Sequence, residues 1–241
     1  MSATPVKSTP WGDRRLGAFV SSLQLADSFF PSGLYTLSYG LEALAQAGLL
    51  DDERLEPLLA DYLRYGVGTA DGTALACAHR ASRAGDVEIA AEADARLSAI
   101  KLPREARETS ERVGRQLLAT AAAVFGGELL ALYAERARTR SVPGNHAIAL
   151  GLITSQLGIR RAHAVAGELY SFASTAVAAA VRLAVVDHVR AQRVLDGLRP
   201  VIVEVARSRA SGEVHDIVSS LPLIDMMCMR HEEAELRMFM S

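Results

Sequence analysis

Apolar residues recur every three or four positions along most of the chain, which is the spacing of one face of an α-helix. Leu55, Leu58, Leu59 and Tyr62 give a clear example. Glycine and proline positions then set where each helix ends. The pattern predicts an all-α protein, a single-domain bundle of about ten helices spanning residues 12–241. The predicted helices cover residues 14–27, 38–47, 52–65, 71–84, 87–100, 103–125, 146–157, 160–186, 189–197, 200–209 and 224–239.

Three segments depart from this pattern. Residues 1–11 contain two prolines and several Ser and Thr residues, which predicts a flexible N-terminal arm. Residues 135–145, ERARTRSVPGN, have the composition of a loop. Residues 201–205, VIVEV, are rich in the β-branched residues of a strand, but an isolated strand has no pairing partner, so a helix is predicted there as well.

The composition supports a helical core and narrows the choice of function. Half of the 241 residues are apolar, but only 5% are aromatic, so the core is built from small aliphatic side chains that suit closely packed helices. The net charge of −2 gives no electrostatic drive toward nucleic acid. Lys7 and Lys101 are the only lysines, and all other cationic side chains except histidine are arginines.

The sequence also favours a cytoplasmic location without membrane association. Two cysteines are too few for a disulfide framework, and the first residues lack the apolar segment of a secretion signal. The most apolar long stretch, residues 162–186, contains His163, Glu168 and Arg182. These polar side chains favour a buried helix of a soluble protein over a membrane span.

Familiar catalytic motifs are absent from the sequence. Residues 65–75, YGVGTADGTAL, begin as a dinucleotide-binding loop would, but Asp71 replaces the third glycine, so a turn between helices is predicted. Several carboxylates in or beside apolar helices could be caps, ion-pair partners or buried functional groups. A helical enzyme with an unrecognised carboxylate site therefore stays an alternative. These carboxylates are Glu42, Glu168, Asp187, Asp216 and Asp225.

The C-terminal segment has two interpretations. Cys228 and His231 are three residues apart and can share a helical face, and five of the six methionines lie within residues 226–241. Sulfur and imidazole ligands suit copper(I), so Cys228 and His231 are candidate metal ligands. Methionine-rich segments also adapt to irregular surfaces, which predicts a docking tail that binds no metal.

One stretch, LQLADSFFPSGLYTLSYGLEALAQAGLL at residues 23–50, resembles the first block of the urease accessory protein F (UreF) family. Four more stretches resemble further blocks of that family in the same order. They are RETSERVGRQLL at 107–118, NHAIALGLITSQLGI at 145–159, LYSFASTAVAAAVRL at 169–183, and DMMCMRHEEAELRMF at 225–239.

The resemblance implies an all-helical, dimeric, non-enzymatic maturation factor with no cofactor of its own. Its implied partners are the urease accessory D/H protein, the nickel-carrying GTPase known as accessory protein G, and apo-urease. The complex would handle nickel and promote its insertion into apo-urease, with this chain regulating the GTPase. The alternative is a metallochaperone that binds nickel or copper directly through its C-terminal Cys, His and Met residues.

Two segments are expected to contact these partners. The turn at residues 31–33 would present nearby hydroxyl, tyrosine and carboxylate side chains, and the resemblance places the last helix against the D/H protein. The alternatives are that Tyr35 and Tyr39 pack against the first helix, and that the charged residues of the last helix cap it or pair within it. The partner-binding candidates are Ser32, Gly33, Tyr35, Ser38, Tyr39, Glu42, Arg230, His231 and Glu232.

Overall fold

A computed structural model of the chain describes residues 13–27, 30 and 38–232. Those residues form eleven α-helices and no strand, which confirms the predicted all-α fold. The predicted arm at residues 1–11 lies outside the described residues. The helices are α1 (Arg14–Ala26), α2 (Leu41–Gln46), α3 (Asp52–Tyr65), α4 (Thr73–Ala84), α5 (Val87–Ile100), α6 (Arg104–Phe125), α7 (Glu128–Arg138), α8 (His146–Gln156), α9 (Arg161–Arg182), α10 (His188–Arg209) and α11 (Pro222–Glu232).

The core is centred on α8, which is buried on almost all sides and packs against α4 and α6. Gly151 brings α8 close to α4, because a Cβ atom at that position would lie 2.5 Å from the carbonyl oxygen of Leu75. Helix α9 contributes eleven buried residues and packs against α10. Among the described helices, α9 alone is long and apolar enough to cross a membrane, but most of its apolar stretch is buried inside the bundle. The prediction of a buried helix in this stretch is thereby confirmed, although the helix ends at Arg182 and not at residue 186.

Aspartate side chains fix where several helices begin. The carboxylates of Asp13, Asp51, Asp86 and Asp187 each accept a hydrogen bond from a backbone N–H in the first turn of the helix that follows. Such N-caps satisfy donors that have no partner within the helix. The sequence alone did not decide the role of Asp187. The structure shows that it is the N-cap of α10.

The second helix is shorter than predicted, and a π-helical turn precedes α4. Tyr39 and Gly40 have φ angles of 52° and 78°, in the left-handed region, so the right-handed helix α2 cannot begin before Leu41. Gly68–Gly72 form the π-helical turn, which delays α4 to Thr73. Residues 65–75 thus connect two helices, as predicted, but the connection contains a π-helical turn in place of a simple turn.

One helix was missed and one helix was wrongly divided. Helix α7 was not predicted, and it runs to Arg138, into the predicted loop, because Tyr133 and Ala137 are buried on its inner face. Helix α10 is continuous through Pro200, where two separate helices were predicted. Leu198 and Ile202 are buried on either side of the exposed proline, so core packing continues across the missing N–H.

Candidate functional site

The residues predicted at the first contact segment are buried or half-buried where they are described. Ser32, Gly33 and Tyr35 lie outside the described residues. Ser38 and Glu42 are buried, which differs from the surface position expected for them. Burial follows from the left-handed turn before α2, which directs this segment into the bundle.

Tyr39 is held by aromatic packing. Its ring meets Phe172 of α9 edge to face at a centroid distance of 4.7 Å, and the Tyr62 hydroxyl donates a hydrogen bond to the Tyr39 carbonyl oxygen. Tyr62 also lies 5.4 Å from Phe172, so three aromatic rings form one cluster. Tyr39 therefore packs inward, although against α9 and not against the first helix.

The second predicted contact segment, which is the last helix, is only partly exposed. On α11, the side chain of Arg230 is exposed, and Glu232 accepts a hydrogen bond of 2.8 Å from the backbone N–H of Glu105 in α6. His231 lies within α11, but its side chain is outside the description. Cys228 is buried, and burial together with nearby carboxylates raises the pKa of its thiol to about 12.

Sequence reasoning missed a cluster of two ion pairs inside the bundle, one buried and one half-buried. His146, the first residue of α8, places its Nδ1 3.3 Å from a carboxylate oxygen of Glu168. The Lys101 ammonium donates to both carboxylate oxygens of Asp71, at 2.8 and 2.9 Å. These four side chains, together with Tyr39, line a cavity of about 120 Å³.

The His146–Glu168 pair also separates two cavities. A second cavity of about 230 Å³ lies between α1, α8 and α9, and both residues of the pair line it as well. The Oε2 atom of Glu168 is buried and has no hydrogen-bond partner within the described protein. A cavity of this size has room for ordered water, which can supply that partner.

His146 and Glu168 shift each other's pKa in opposite directions. Burial alone would lower the pKa of His146, but the charge and hydrogen bond of Glu168 outweigh it and raise that pKa, with Asp71 adding to the rise and Lys101 opposing it. Burial would raise the pKa of Glu168, but His146 outweighs it and lowers that pKa. Both groups therefore favour their charged forms in the folded state.

We expect the His146–Glu168 pair to make stability depend on pH. Because the folded pKa of His146 lies above its ordinary value of 6.5, its contribution is complete below pH 6.5 and is lost as the pH rises through the folded value. Because the folded pKa of Glu168 lies below 4.5, its contribution is complete above pH 4.5 and is lost as the pH falls through the folded value. Denaturant unfolding across pH should therefore show the full contribution of the pair between these limits.

The His146→Gln variant provides the comparison for that measurement. It should cost about 2 kcal/mol near pH 6 and flatten the alkaline decline, since glutamine keeps a donor but no charge. His215→Gln is the control, because the His215 side chain is 81% exposed. An unaltered pH profile in His146→Gln would contradict the assigned role of the pair.

Asp94 is another buried carboxylate, and unlike Glu168 it was not singled out from the sequence. It is completely buried in α5 and accepts four hydrogen bonds, from the Tyr133 hydroxyl, the Gly144 N–H, the Asn145 N–H and the Asn145 side-chain amide, at 2.7–3.0 Å. Burial raises the pKa of Asp94, while these donors partly offset the rise. A signal was available, because Asp94 occupies a core position in the helical spacing with Ala90, Ala93 and Leu97.

The five stretches singled out in the sequence meet in space. Tyr39 of the first contacts Phe172 of the fourth. Gly114 of the second allows α6 to cross the start of the third, because a Cβ atom there would lie 2.5 Å from the backbone nitrogen of His146. Cys228 of the fifth lies against the turn before α2, in the first. Residues distant in sequence thus build one connected centre.

Two helices at the ends of the described chain expose apolar side chains. Helix α1 contains no buried residue and exposes an apolar stripe at helical spacing, formed by Leu16, Phe19, Val20 and Leu23. Helix α11 exposes Leu223, Met226 and Met229. Exposed apolar patches of this kind mark interaction surfaces in soluble proteins.

The described residues contain no group of three or more His, Cys, Asp or Glu side chains arranged to hold a metal ion. The carboxylates inside the bundle instead form ion pairs and hydrogen bonds with other protein groups. Asp216 caps a short 3₁₀ turn, Val214–Asp216. Chemically, the arrangement can position helices and bury charge, while its exposed faces can bind other proteins.

Comparison with known proteins gives consistent matches over most of the chain. The family model described as UreF matches residues 49–199. A urease accessory protein UreF of Trichodesmium erythraeum is 32% identical over 218 residues, covering 90% of this chain and 94% of its own length. UreF 2 of Brucella canis is 30% identical, covering 95% and 94%, and UreF of a Bacillus species is 27% identical, covering 94% and 100%.

Proposed function

Because the chain belongs to the UreF family of urease accessory proteins, we propose that it is a non-enzymatic adaptor in urease maturation. In this proposal it joins the urease accessory D/H protein to the nickel-carrying GTPase, accessory protein G. The assembled complex promotes nickel insertion into apo-urease, and the adaptor regulates the GTPase. The protein acts in the cytoplasm as a homodimer, and nickel is cargo of the complex.

The observation that carries this proposal is the exposure of apolar side chains on α11. Met226 is 55% exposed and Met229 is 39% exposed, although the inner face of the same helix is buried. Methionine side chains are flexible and polarisable, so they fit partner surfaces of irregular shape. We assign this face, with Arg230 beside it, to contact with the D/H protein.

The described residues of the first contact segment have an indirect role in this proposal. Ser38 and Glu42 are buried and Tyr39 is half-buried, and all three hold the turn before α2 on which partner contact depends. Direct contact by Ser32, Gly33 and Tyr35 stays a prediction. Tyr39→Ala would therefore test packing as well as binding.

We expect the double variant Met226→Ser, Met229→Ser to weaken binding to the D/H protein at least about tenfold, because two exposed apolar anchors are lost. The measurement is calorimetry or surface binding with the purified D/H protein, after co-expression and size-exclusion chromatography. Helical content and thermal unfolding should stay near those of the unaltered protein, since both side chains face outward.

The matched control is Val189→Ser, Val203→Ser, which removes two comparably exposed apolar side chains from α10. It should bind the D/H protein normally. Equal affinity of the α11 variant, the α10 variant and the unaltered protein would overturn the assignment of the α11 face.

Direct metal binding through Cys228 and His231 receives no support from the described geometry. A thiol whose pKa is raised to about 12 by burial is a poor source of the thiolate that binds metals. Equilibrium dialysis decides the matter: tight stoichiometric nickel or copper that is lost in Cys228→Ala, His231→Ala would favour a carrier over an adaptor.

A further inference from the structure

Helix α11 buries three side chains in the part of the chain that the structure describes. Its inner face buries Ile224, Met227 and Cys228, and its main packing partner in the described chain is the six-residue helix α2. A cavity of about 110 Å³, lined by Asp225 and Cys228 among others, lies beneath it. A helix with few buried side chains and incomplete packing costs less to detach than a core helix.

A polar contact joins the last described residue of this helix to the start of α6. The Glu232 carboxylate accepts a hydrogen bond of 2.8 Å from the backbone N–H of Glu105, the second residue of α6. Helix α6 begins after Pro103, which offers no side-chain cap, so its first turn lacks a cap from its own sequence. Glu232 supplies this missing acceptor from 127 residues away.

The electrostatics of this contact are favourable. The first turn of a helix carries partial positive charge, and a carboxylate placed there is stabilised by charge as well as by the hydrogen bond. The same geometry brings Glu232 near Cys228, whose thiol pKa it helps to raise. The hydrogen bond of Glu232 and the burial of Cys228 therefore occur in the same conformation of α11.

We propose that α11 is a strap, closed by the Glu232 carboxylate on the N-terminus of α6, that opens as a unit while the rest of the bundle stays folded. When α11 opens, Ile224, Met227 and Cys228 lose their packing against the bundle, and the cavity beneath them is exposed to solvent. The position of this equilibrium is a property of the free protein and does not rest on the proposed function.

The two cysteines allow opening to be measured directly. In the closed strap Cys228 is buried and its pKa is about 12, so at pH 8 it reacts with a thiol reagent such as DTNB only through the open state. Cys77 is completely buried in α4 and its sulfur lies 3.5 Å from the carbonyl oxygen of Gly212, so its reaction reports opening of the bundle away from α11. Labelling of Cys228 is followed in a Cys77→Ala background, and labelling of Cys77 in a Cys228→Ala background.

Glu232 is varied in a graded series. Glu232→Gln keeps an acceptor without charge and should speed Cys228 labelling about threefold, while Glu232→Ala removes both and should speed it about tenfold. Cys77 labelling should stay unchanged in both. Glu204→Ala is the control, because Glu204 is an exposed carboxylate on α10, whose ion pair with Arg64 spans 3.9 Å.

The series has three outcomes that would overturn the proposal. The first is equal Cys228 labelling in the unaltered protein and both Glu232 variants. The second is Cys77 labelling that accelerates in step with Cys228, which would mean global destabilisation. The third is equal acceleration by Glu204→Ala, which would mean a general effect of net charge.

Discussion

Replacing Gly114 by alanine is expected to reduce the free energy of unfolding by about 4 kcal/mol or more, enough to prevent folding of many single domains. A Cβ atom at Gly114 would lie 2.1 Å from the carbonyl oxygen of Gly144 and 2.5 Å from the backbone nitrogen of His146. These are backbone atoms, so no side-chain rotation can relieve the overlap. Helix α6 and the start of α8 would have to separate, which disturbs the buried His146–Glu168 pair as well.

The matched control is Gly167→Ala, also inside a long helix. No atom lies within 4 Å of a Cβ placed at Gly167, so alanine should be neutral or stabilise the protein by up to about 1 kcal/mol. Thermal and denaturant unfolding of both variants measures the difference. If Gly114→Ala unfolded at the same denaturant concentration as Gly167→Ala, the close crossing of α6 and α8 would be refuted.

Replacing Asp94 by alanine should cost about 3 to 5 kcal/mol. The substitution leaves four buried donors from three residues without their acceptor, and each unsatisfied buried donor is costly. Asp94→Asn should be nearly as damaging, because its amide group would point a donor at other donors. Hydrogen exchange should show faster opening of residues 139–146 before the rest of the bundle.

Glu88→Gln is the matched control for Asp94. Glu88 lies on the same helix and pairs with Arg136 of the same neighbouring helix at 2.7 Å, but its side chain is 73% exposed. Surface pairs of this kind contribute about 1 kcal/mol or less. A similar loss of stability in Glu88→Gln and Asp94→Ala would contradict the central role of the Asp94 cluster.

Local rules predicted most of the helices because the information they need is local. The spacing of Leu55, Leu59 and Tyr62 and the cap at Asp51 define α3 without reference to other segments. Such rules failed at Pro200, where packing of Leu198 and Ile202 against the core decides the outcome. They also failed at Tyr39, whose left-handed backbone depends on contacts with α3 and α9.

The buried centre could not be derived in the same way. Asp71 and Lys101 are thirty residues apart, and His146 and Glu168 are twenty-two apart, so only the folded topology pairs them. Sequence reasoning considered Glu168 as a possible buried carboxylate but could not name its partner. It placed Ser38 and Glu42 at a contact surface because the turn at residues 31–33 and the family resemblance suggested one, whereas the structure buries both.

The ion pair of Lys101 with Asp71 has a practical consequence for labelling this protein. Lys101 is the only lysine in the described residues, and its side chain is 18% exposed and held by two hydrogen bonds. The other lysine, Lys7, lies outside the described residues. A fluorophore or sensor surface that couples to amines should therefore leave the faces of α1 to α11 unmodified, which keeps those faces available when association is measured.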